Sequence, residues 1–499
     1  MSQLKAGAIL SYLSIFLTFA IGMLYTPLLI RMLGQTDYGV YSLILALSSY
    51  LSVLDMGLGN SIIRYIARNR EVGDSKQEAN LIGQFLKFFL VIGVLTIVIG
   101  GMIYLNAPKL FEKSLTQSSI DTAQTMMIIL TLNYALSFPL NVYSAVAQAY
   151  ERFVFLKVSN IIRITLTPIF SLIALYLGQG LIAITLITTI VNVGILLITA
   201  LYCKITLKIK TTFSPIPKNL KKEIYIYSFF IFISAIADKL YWQTDQVLLG
   251  IITNPDIVAV YAVAIQLILI FSSLSNAISS LFLPRLSKIA SSGENVALIN
   301  QIFLNVSKYQ FIIITLVFSG FIIFGQEFIV LWANEDYKQV YYIVLIIMLP
   351  FFVDLIQNLA LMIMQAKGLY YFRAILLLIC SILNFIISIP IIKLYGSFGT
   401  AIVTAIFIMI GNVIILNFYF HIKLKLDMFI FWKTIMKYSI PIGILFVASY
   451  ILKQFIPDTS NIYMLGVEIL IYTVIYILLI FRFVINKPLA KYIKSFNRK

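Results

Sequence analysis

The chain has 499 residues, of which 61% are hydrophobic and 11% charged, and its formal net charge is +17. Soluble domains are about 45–50% apolar and about 25% charged, so this composition excludes a water-soluble globule. Two cysteines and one histidine give no disulfide framework and no histidine-rich metal site, and no cofactor is expected. The class that remains is a polytopic membrane protein.

Fourteen apolar runs, each bounded by charged or turn residues, follow one another along the chain. A membrane-spanning helix takes about 20 residues, so the sequence predicts an all-α integral membrane protein with about 14 transmembrane helices. The first run lacks a small-residue cleavage site, and we interpret it as a span rather than a signal peptide. The predicted spans are 7–30, 38–62, 81–105, 122–147, 154–177, 180–203, 224–250, 257–283, 302–331, 340–364, 370–393, 398–420, 434–456 and 462–484.

The basic residues in the loops and near the ends of these spans indicate the orientation of the chain. Counted loop by loop, 26 Lys and Arg fall on the side that holds both termini and 6 fall on the other side. Cytoplasmic loops of membrane proteins are enriched in Lys and Arg, so we predict that both termini are cytoplasmic. The same bias accounts for the basic net charge without a nucleic-acid partner.

Short motifs recur in the two halves of the chain at offsets of 217–220 residues, which predicts an internal duplication. Parallel repeats of this kind are related by an axis along the membrane normal and hold the substrate site between them. We predict two pseudo-symmetric six-helix lobes around a central cavity: an N-lobe at 1–203, a cytoplasmic linker at 204–222 and a C-lobe at 223–420, followed by two helices and a basic tail at 421–499. The matching motifs are Ala147-Gln148-Ala149 with Met364-Gln365-Ala366, Gly180 with Gly399, and Val40-Tyr41 with Val260-Tyr261.

Several acidic residues lie where hydrocarbon is expected. In the seventh span, Asp238, Trp242 and Asp245 are spaced i, i+4, i+7 and share one helix face, with Lys239 beside them. We predict that this stripe lines a cavity, where Asp238 or Asp245 would bind a coupling H⁺ or Na⁺. A buried Asp–Lys pair that only fixes helix packing is the alternative.

A second intramembrane acid, Asp55, lies just before Gly57 and Gly59, which weaken or bend the helix. We assign Asp55 either to the cavity or to helix packing. Asp354 and Glu468 also fall within spans, and their roles are left open between function and packing.

Four cations occupy related places in the predicted spans. Lys87, Arg163 and Lys308 lie inside the cytoplasmic boundary of their helices, and Arg64 lies at the end of the second span. Such side chains either snorkel to the interface or converge on an inward-open cavity that attracts an anionic head group. Arg suits a phosphate through its planar fork, and Lys through its compact charge.

The N-terminal region carries a recognisable pattern. Arg31-Met32-Leu33-Gly34 is followed by Asp37-Tyr38-Gly39-Val40-Tyr41, then by Leu54-Asp55-Met56-Gly57-Leu58-Gly59 and by Arg64. This pattern resembles the signature of bacterial polysaccharide flippases, the O-antigen and capsule transporters of the multidrug/oligosaccharidyl-lipid/polysaccharide exporter superfamily. The motif residues fall at about 25–70, and the resemblance in topology extends over the whole chain.

The resemblance implies a transporter of the bacterial inner membrane that moves an undecaprenyl-diphosphate-linked oligosaccharide to the periplasmic leaflet by alternating access. It implies a cationic cavity, and we carry that role to Arg64, Lys87, Arg163, Lys239 and Lys308. The expected partners are the lipid-linked substrate, membrane lipid, a coupling H⁺ or Na⁺ and the polysaccharide polymerase machinery.

Other functions are disfavoured by the sequence. A multidrug/cation antiporter of the same superfamily shares the architecture and is the main alternative. A polymerase or ligase would need a long outer loop with catalytic charges, and the longest outer loop, at about 106–121, is short. We therefore predict that the chain is not an enzyme. A nucleotide-driven pump is disfavoured because no Walker-type loop is present, and a channel because the charges form no symmetric ring.

Overall fold

Helices joined by short turns make up the computed structural model, which describes residues 3–215, 218–291, 296–455 and 461–483 and has no β-strand within those ranges. Twelve helices in these ranges are long and apolar enough to cross a membrane. The predicted seventh span corresponds to the helix Lys218–Ile252, which is not one of the twelve. The predicted all-α membrane fold is confirmed, and its count of 14 is approximate.

The break predicted between the eleventh and twelfth spans is a glycine kink. The helical stretch Tyr370–Ile422 has 53 residues, too long for one straight crossing of a bilayer about 30 Å thick. At Gly396 the backbone has φ 56° and ψ −135°, a combination open to glycine because it has no Cβ. Two helices therefore meet at this residue.

Local capping sets several helix starts in the first half of the chain. The Asp74 carboxylate accepts a hydrogen bond from the backbone N–H of Gln77 at 2.9 Å, and Thr116 caps the next helix in the same way through the N–H of Ser119. The helices are α1 (Gln3–Leu33), α2 (Gln35–Ser49), a 3₁₀ helix (Tyr50–Asp55), α3 (Leu58–Val72), α4 (Ser75–Phe111), α5 (Gln117–Ala149), α6 (Phe153–Tyr176), α7 (Leu181–Ile205) and α8 (Lys218–Ile252).

The second half has the same character, with two departures from α-helical geometry. One long helix is interrupted at Gln357, and a seven-residue π-helix lies at Met409–Ile415. The elements are α9 (Pro255–Ser280), α10 (Leu283–Ser291), α11 (Val296–Trp332), a 3₁₀ turn (Glu335–Tyr337), α12 (Gln339–Ile356), α13 (Asn358–Ala366), α14 (Tyr370–Ile408), the π-helix, α15 (Leu416–Ile422), α16 (Met428–Gln454) and α17 (Ile462–Phe483).

Two compact units divide the chain. Unit 1 comprises residues 1–262 and 374–400, and unit 2 comprises residues 263–373 and 401–499. The six-helix lobes of the sequence analysis stay a prediction. Within unit 1, the apolar core is built by α3, α4 and α5, where the side chains of Ile62, Phe89 and Val142 are fully buried.

The start of α2 packs closely against the start of α9 inside unit 1. The Thr36 hydroxyl donates to the Asp256 carboxylate at 2.7 Å, and a Cβ added to Gly39 would lie 1.9 Å from the Pro255 carbonyl oxygen. Gly39 belongs to the N-terminal motif, so part of that motif has a packing role: it lets two backbones approach.

An ion triad joins three helices of unit 2. The Lys453 ammonium on α16 lies 2.8 Å from a Glu327 carboxylate oxygen on α11 and 2.9 Å from a Glu468 oxygen on α17. Lys453 and Glu327 are 11% and 10% exposed. The triad gives Glu468 a structural partner, and Glu327 is an intramembrane acid that the sequence analysis did not single out.

Replacing Lys453 with Met is expected to lower the free energy of unfolding by about 3–5 kcal/mol, because two neighbouring carboxylates lose their buried counter-ion. The measurement is thermal unfolding of the purified protein in detergent. The control is Lys437→Met on the exposed face of the same helix, which should unfold like the wild type. Equal stability of the two variants would contradict a structural role for the triad.

Candidate functional site

A cavity of about 690 Å³ lies within unit 1. Five elements line it: α1, the 3₁₀ helix, α5, α6 and α7. Its wall is apolar over much of its area and carries a small set of convergent polar groups, which is typical of a ligand site. The polar lining consists of Thr18, Ser52, Asp55, Asn133, Tyr134, Ser137, Asn141, Arg163, Thr167, Thr188 and Asn192.

A hydrogen-bonded network holds Arg163 in this cavity. Its guanidinium donates to the side-chain oxygen of Asn160 at 2.7 Å and to that of Asn192 at 3.2 Å. The Asn192 amide in turn donates to Asn133 at 2.8 Å and to Ser137 at 3.0 Å. Three helices therefore fix the orientation of one cation, a requirement for a preorganised binding site.

The guanidinium keeps capacity for a ligand. Arg carries five N–H donors, and the described residues engage Arg163 through one bond from each terminal nitrogen. Its side chain is exposed rather than packed away. The same cavity is lined by amides and hydroxyls, so with the remaining donors the site can bind an oxyanion together with neutral hydroxyl groups.

Asp55 contributes a carboxylate to the same cavity because the helix breaks beside it. The 3₁₀ helix ends at Asp55, and the next two residues adopt left-handed conformations, with φ 51° at Met56 and φ 65° at Gly57. At Gly57 an added Cβ would meet the Ile231 side chain at 2.2 Å. Non-helical backbone at membrane depth is tolerated where it lines a cavity or is buried in protein. The helix break at Met56 and Gly57 is therefore compatible with its place beside the cavity.

The other predicted site residues of unit 1 lie outside the lining of this cavity. Arg64 and Lys87 are exposed on α3 and α4, and the Arg64 guanidinium lies 5.7 Å from the Tyr65 ring centre. On α8, Lys239 is half-buried and Asp238 is exposed.

Asp245 lies at a packed part of α8. It is 3% exposed and accepts a hydrogen bond from the Tyr261 hydroxyl at 2.8 Å. On the preceding residue, the Thr244 hydroxyl lies 2.8 Å from the Tyr50 hydroxyl. These contacts join α8 to α9 and to the 3₁₀ helix, and the role in ion coupling stays a prediction.

Lys308 belongs to unit 2. Its ammonium lies 4.8 Å from the ring centre of Tyr438 on α16, within the range of a cation–π interaction. The structure therefore brings only Asp55 and Arg163, of the eight predicted site residues, into the cavity described for unit 1.

The polar partners of Arg163 are functional candidates that the sequence analysis missed. Asn133 and Ser137 are four residues apart and so share one face of α5, and Asn160 and Arg163 are three apart on α6. Such polar pairs in apolar helices were a usable signal. The site residues were predicted from charged side chains alone, although amides inside the membrane also need hydrogen-bond partners.

The helical fold defines a multi-pass membrane protein, with a polar cavity in unit 1. The structure is similar to "Lipid II flippase MurJ, inward closed conformation", with a TM-score of 0.74 and 16% identity over 95% of this chain and 97% of that chain. It is also similar to an inward-facing multidrug resistance MATE family transporter, with a TM-score of 0.61 and 16% identity over 79% of this chain and 96% of that chain.

Sequence comparison places the chain more narrowly. Residues 4–290 match the family described as polysaccharide biosynthesis protein, and the chain belongs to this family. A putative O-antigen transporter from Shigella flexneri is 23% identical over 350 residues, which is 68% of this chain and 79% of that protein. The resemblance inferred from the N-terminal motif is confirmed.

Proposed function

We propose that this protein is a flippase that moves an undecaprenyl-diphosphate-linked oligosaccharide, an O-antigen or capsule repeat unit, from the cytoplasmic to the outer leaflet. The observation that carries the proposal is the oriented Arg163 guanidinium in a cavity of about 690 Å³ lined by amides and hydroxyls. Family membership and the similarity to a putative O-antigen transporter support it.

The chemistry of the lining matches the two parts of such a head group. A guanidinium binds phosphate oxygens through parallel N–H donors and keeps its charge in an apolar setting. Asn141 and Thr188 offer the neutral donors and acceptors that sugar hydroxyls use. The Asp55 carboxylate in the same cavity accepts hydrogen bonds from sugar hydroxyls and repels the diphosphate, so it orients the head group.

The remaining predicted residues enter the proposal as secondary contributors. Arg64, Lys87, Lys239 and Lys308 would attract the anionic head group before it reaches Arg163, an electrostatic effect that does not need direct contact. Asp238 and Asp245 would serve the coupling ion. Alternating access by movement of two lobes, with both termini in the cytoplasm, completes the proposed mechanism.

The test is a flipping assay in proteoliposomes that contain the purified full chain and an undecaprenyl-diphosphate-linked oligosaccharide. A membrane-impermeant glycosidase outside the vesicles measures the fraction of lipid in the outer leaflet over time. We expect the protein to bring the inner-leaflet pool to the outer leaflet, while the same oligosaccharide on an uncharged lipid stays protected. Equal movement of both lipids, or movement no faster than in protein-free vesicles, would contradict the proposal.

The second candidate function is a multidrug/cation antiporter, favoured by the fold similarity to a MATE family transporter and by the Asp55 carboxylate in the cavity. A cationic drug would have to share that cavity with Arg163, which repels it. Efflux of small cations from the same vesicles, driven by an ion gradient and lost in Asp55→Asn, would support this function over flipping.

A further inference from the structure

Each unit contains an aromatic contact that has an equivalent in the other unit. In unit 1 the rings of Phe155 and Tyr202 stack with centres 3.9 Å apart and planes at 10°. In unit 2 Phe372 and Tyr419 stack at 4.0 Å and 8°. Both residues of the second pair lie 217 positions after those of the first. Matching contacts in matching places support the predicted duplication.

A second match is a hydrogen bond between neighbouring helices, which is partly buried in unit 1 and buried in unit 2. In unit 1 the Asn192 amide donates to Ser137 at 3.0 Å. In unit 2 the Asn412 amide donates to Asp354 at 3.2 Å. Asp354 lies 217 positions after Ser137, so the duplicated site has a hydroxyl in one unit and a carboxylate in the other.

The two asparagines lie in corresponding helices at a slightly different offset. Asn412 follows Asn192 by 220 positions and lies within the π-helix Met409–Ile415.

The two sites differ in what satisfies the remaining oxygens. In unit 1 the Asn192 oxygen accepts a hydrogen bond from the Arg163 guanidinium. In the described part of unit 2, the Asn412 Oδ1 and Asp354 Oδ1 atoms are buried and have no hydrogen-bond partner. Their side chains are only 2% and 6% exposed.

We propose that Asp354 is a proton-binding carboxyl of unit 2 and that Asn412 is the amide that receives the bound proton's hydrogen bond. A proton from the aqueous phase binds Oδ1 of the carboxylate, and no other bond forms or breaks. The resulting O–H donates to the Asn412 oxygen while the Asn412 amide continues to donate to Asp354. A single proton thereby satisfies both buried oxygens, whose desolvation is otherwise uncompensated.

The charged groups around Asp354 determine the net charge of the site in its two protonation states. Arg373 is the charged group whose field reaches Asp354 in the described structure, so the pair is neutral when Asp354 is ionised and carries one positive charge when it is protonated. On α11, which packs against α12, Lys308 faces the Tyr438 ring and Glu327 binds Lys453. The other titratable groups on α11 and α12 are Tyr309, Tyr341 and Tyr342.

Proton binding by Asp354 can be measured without any substrate. A negative result would therefore be distinguishable from failure of the proposed flippase function. Only the coupling of proton binding to transport rests on that function. Infrared difference spectra of the full chain in lipid nanodiscs are recorded while the pH is raised through the neutral range. We expect a carboxylic-acid carbonyl band in the wild type that Asp354→Asn removes. Asn412→Leu should shift this band to higher frequency because it deletes the hydrogen-bond partner.

The control is Asp336→Asn, which changes an exposed acid of the same unit and should leave the band in place. If Asp354→Asn does not fold, the shift in Asn412→Leu carries the test. A wild type without the band, or a band that persists in folded Asp354→Asn, overturns the proposal. A band that added Na⁺ abolishes at constant pH assigns the pocket to Na⁺ and also overturns it.

Discussion

Replacing Arg163 with Gln is expected to slow flipping of the diphosphate-linked oligosaccharide about tenfold to a hundredfold, the range for loss of a charge-assisted hydrogen bond. Gln retains polarity and some hydrogen-bonding capacity but has neither the charge nor the fork that binds two phosphate oxygens. The measurement is the initial rate in the proteoliposome assay at equal protein density.

Two further variants make this result specific. Arg163→Lys keeps the charge without the planar donor set, so an intermediate rate is expected if bidentate binding matters. Lys109→Gln removes an exposed cation of α4 that lies outside the lining of the cavity and has no role in the proposed site, and it should leave the rate close to that of the wild type. If Lys109→Gln is as slow as Arg163→Gln, the substrate senses total charge rather than the cavity of unit 1.

Replacing Gly39 with Ala is expected to destabilise unit 1 by about 3 kcal/mol or more, at the upper end of the cost of overpacking. The new methyl group would lie 1.9 Å from the Pro255 carbonyl oxygen, and a backbone atom cannot turn aside as a flexible side chain does. The helices α2 and α9 would have to separate at their starts. The expected result is a strong loss of monodisperse protein after detergent extraction, with a lower unfolding temperature.

The matched control for this prediction is Gly101→Ala on α4. No atom lies within 4 Å of a Cβ added at that position, so we expect the yield and the unfolding temperature of the wild type or slightly higher values. Wild-type behaviour of Gly39→Ala would mean that α2 and α9 are farther apart in the membrane than in the structure.

Much of the fold could be predicted from composition and local pattern. The apolar runs marked nearly every helix because hydrocarbon admits only backbone whose hydrogen bonds are satisfied locally. The predicted spans 154–177 and 180–203 left only a short turn between them, and α6 ends at Tyr176 while α7 begins at Leu181. The break near Gly57 was likewise predicted, since glycine is the residue that accepts a positive φ without strain.

The candidate site was predicted only in part. Asp55 and Arg163 were identified because ionisable groups in hydrocarbon are costly. Charge alone did not show which of these groups share a cavity. Lys87 and Arg163 are both basic residues in predicted spans, yet only Arg163 is in the cavity lining. The rotation of each helix about its axis decides this, and packing against neighbouring helices sets that rotation.

The amino-acid sequence by itself determined that this is a helical membrane protein of the polysaccharide biosynthesis family, because apolar length and a local motif are properties of contiguous residues. Only the tertiary structure decided that Asn133, Ser137 and Asn192 orient Arg163 and that Asn412 meets Asp354. These contacts join residues up to 59 positions apart. Their formation depends on helix packing, for which the uniform hydrophobicity of a membrane helix provides little guidance.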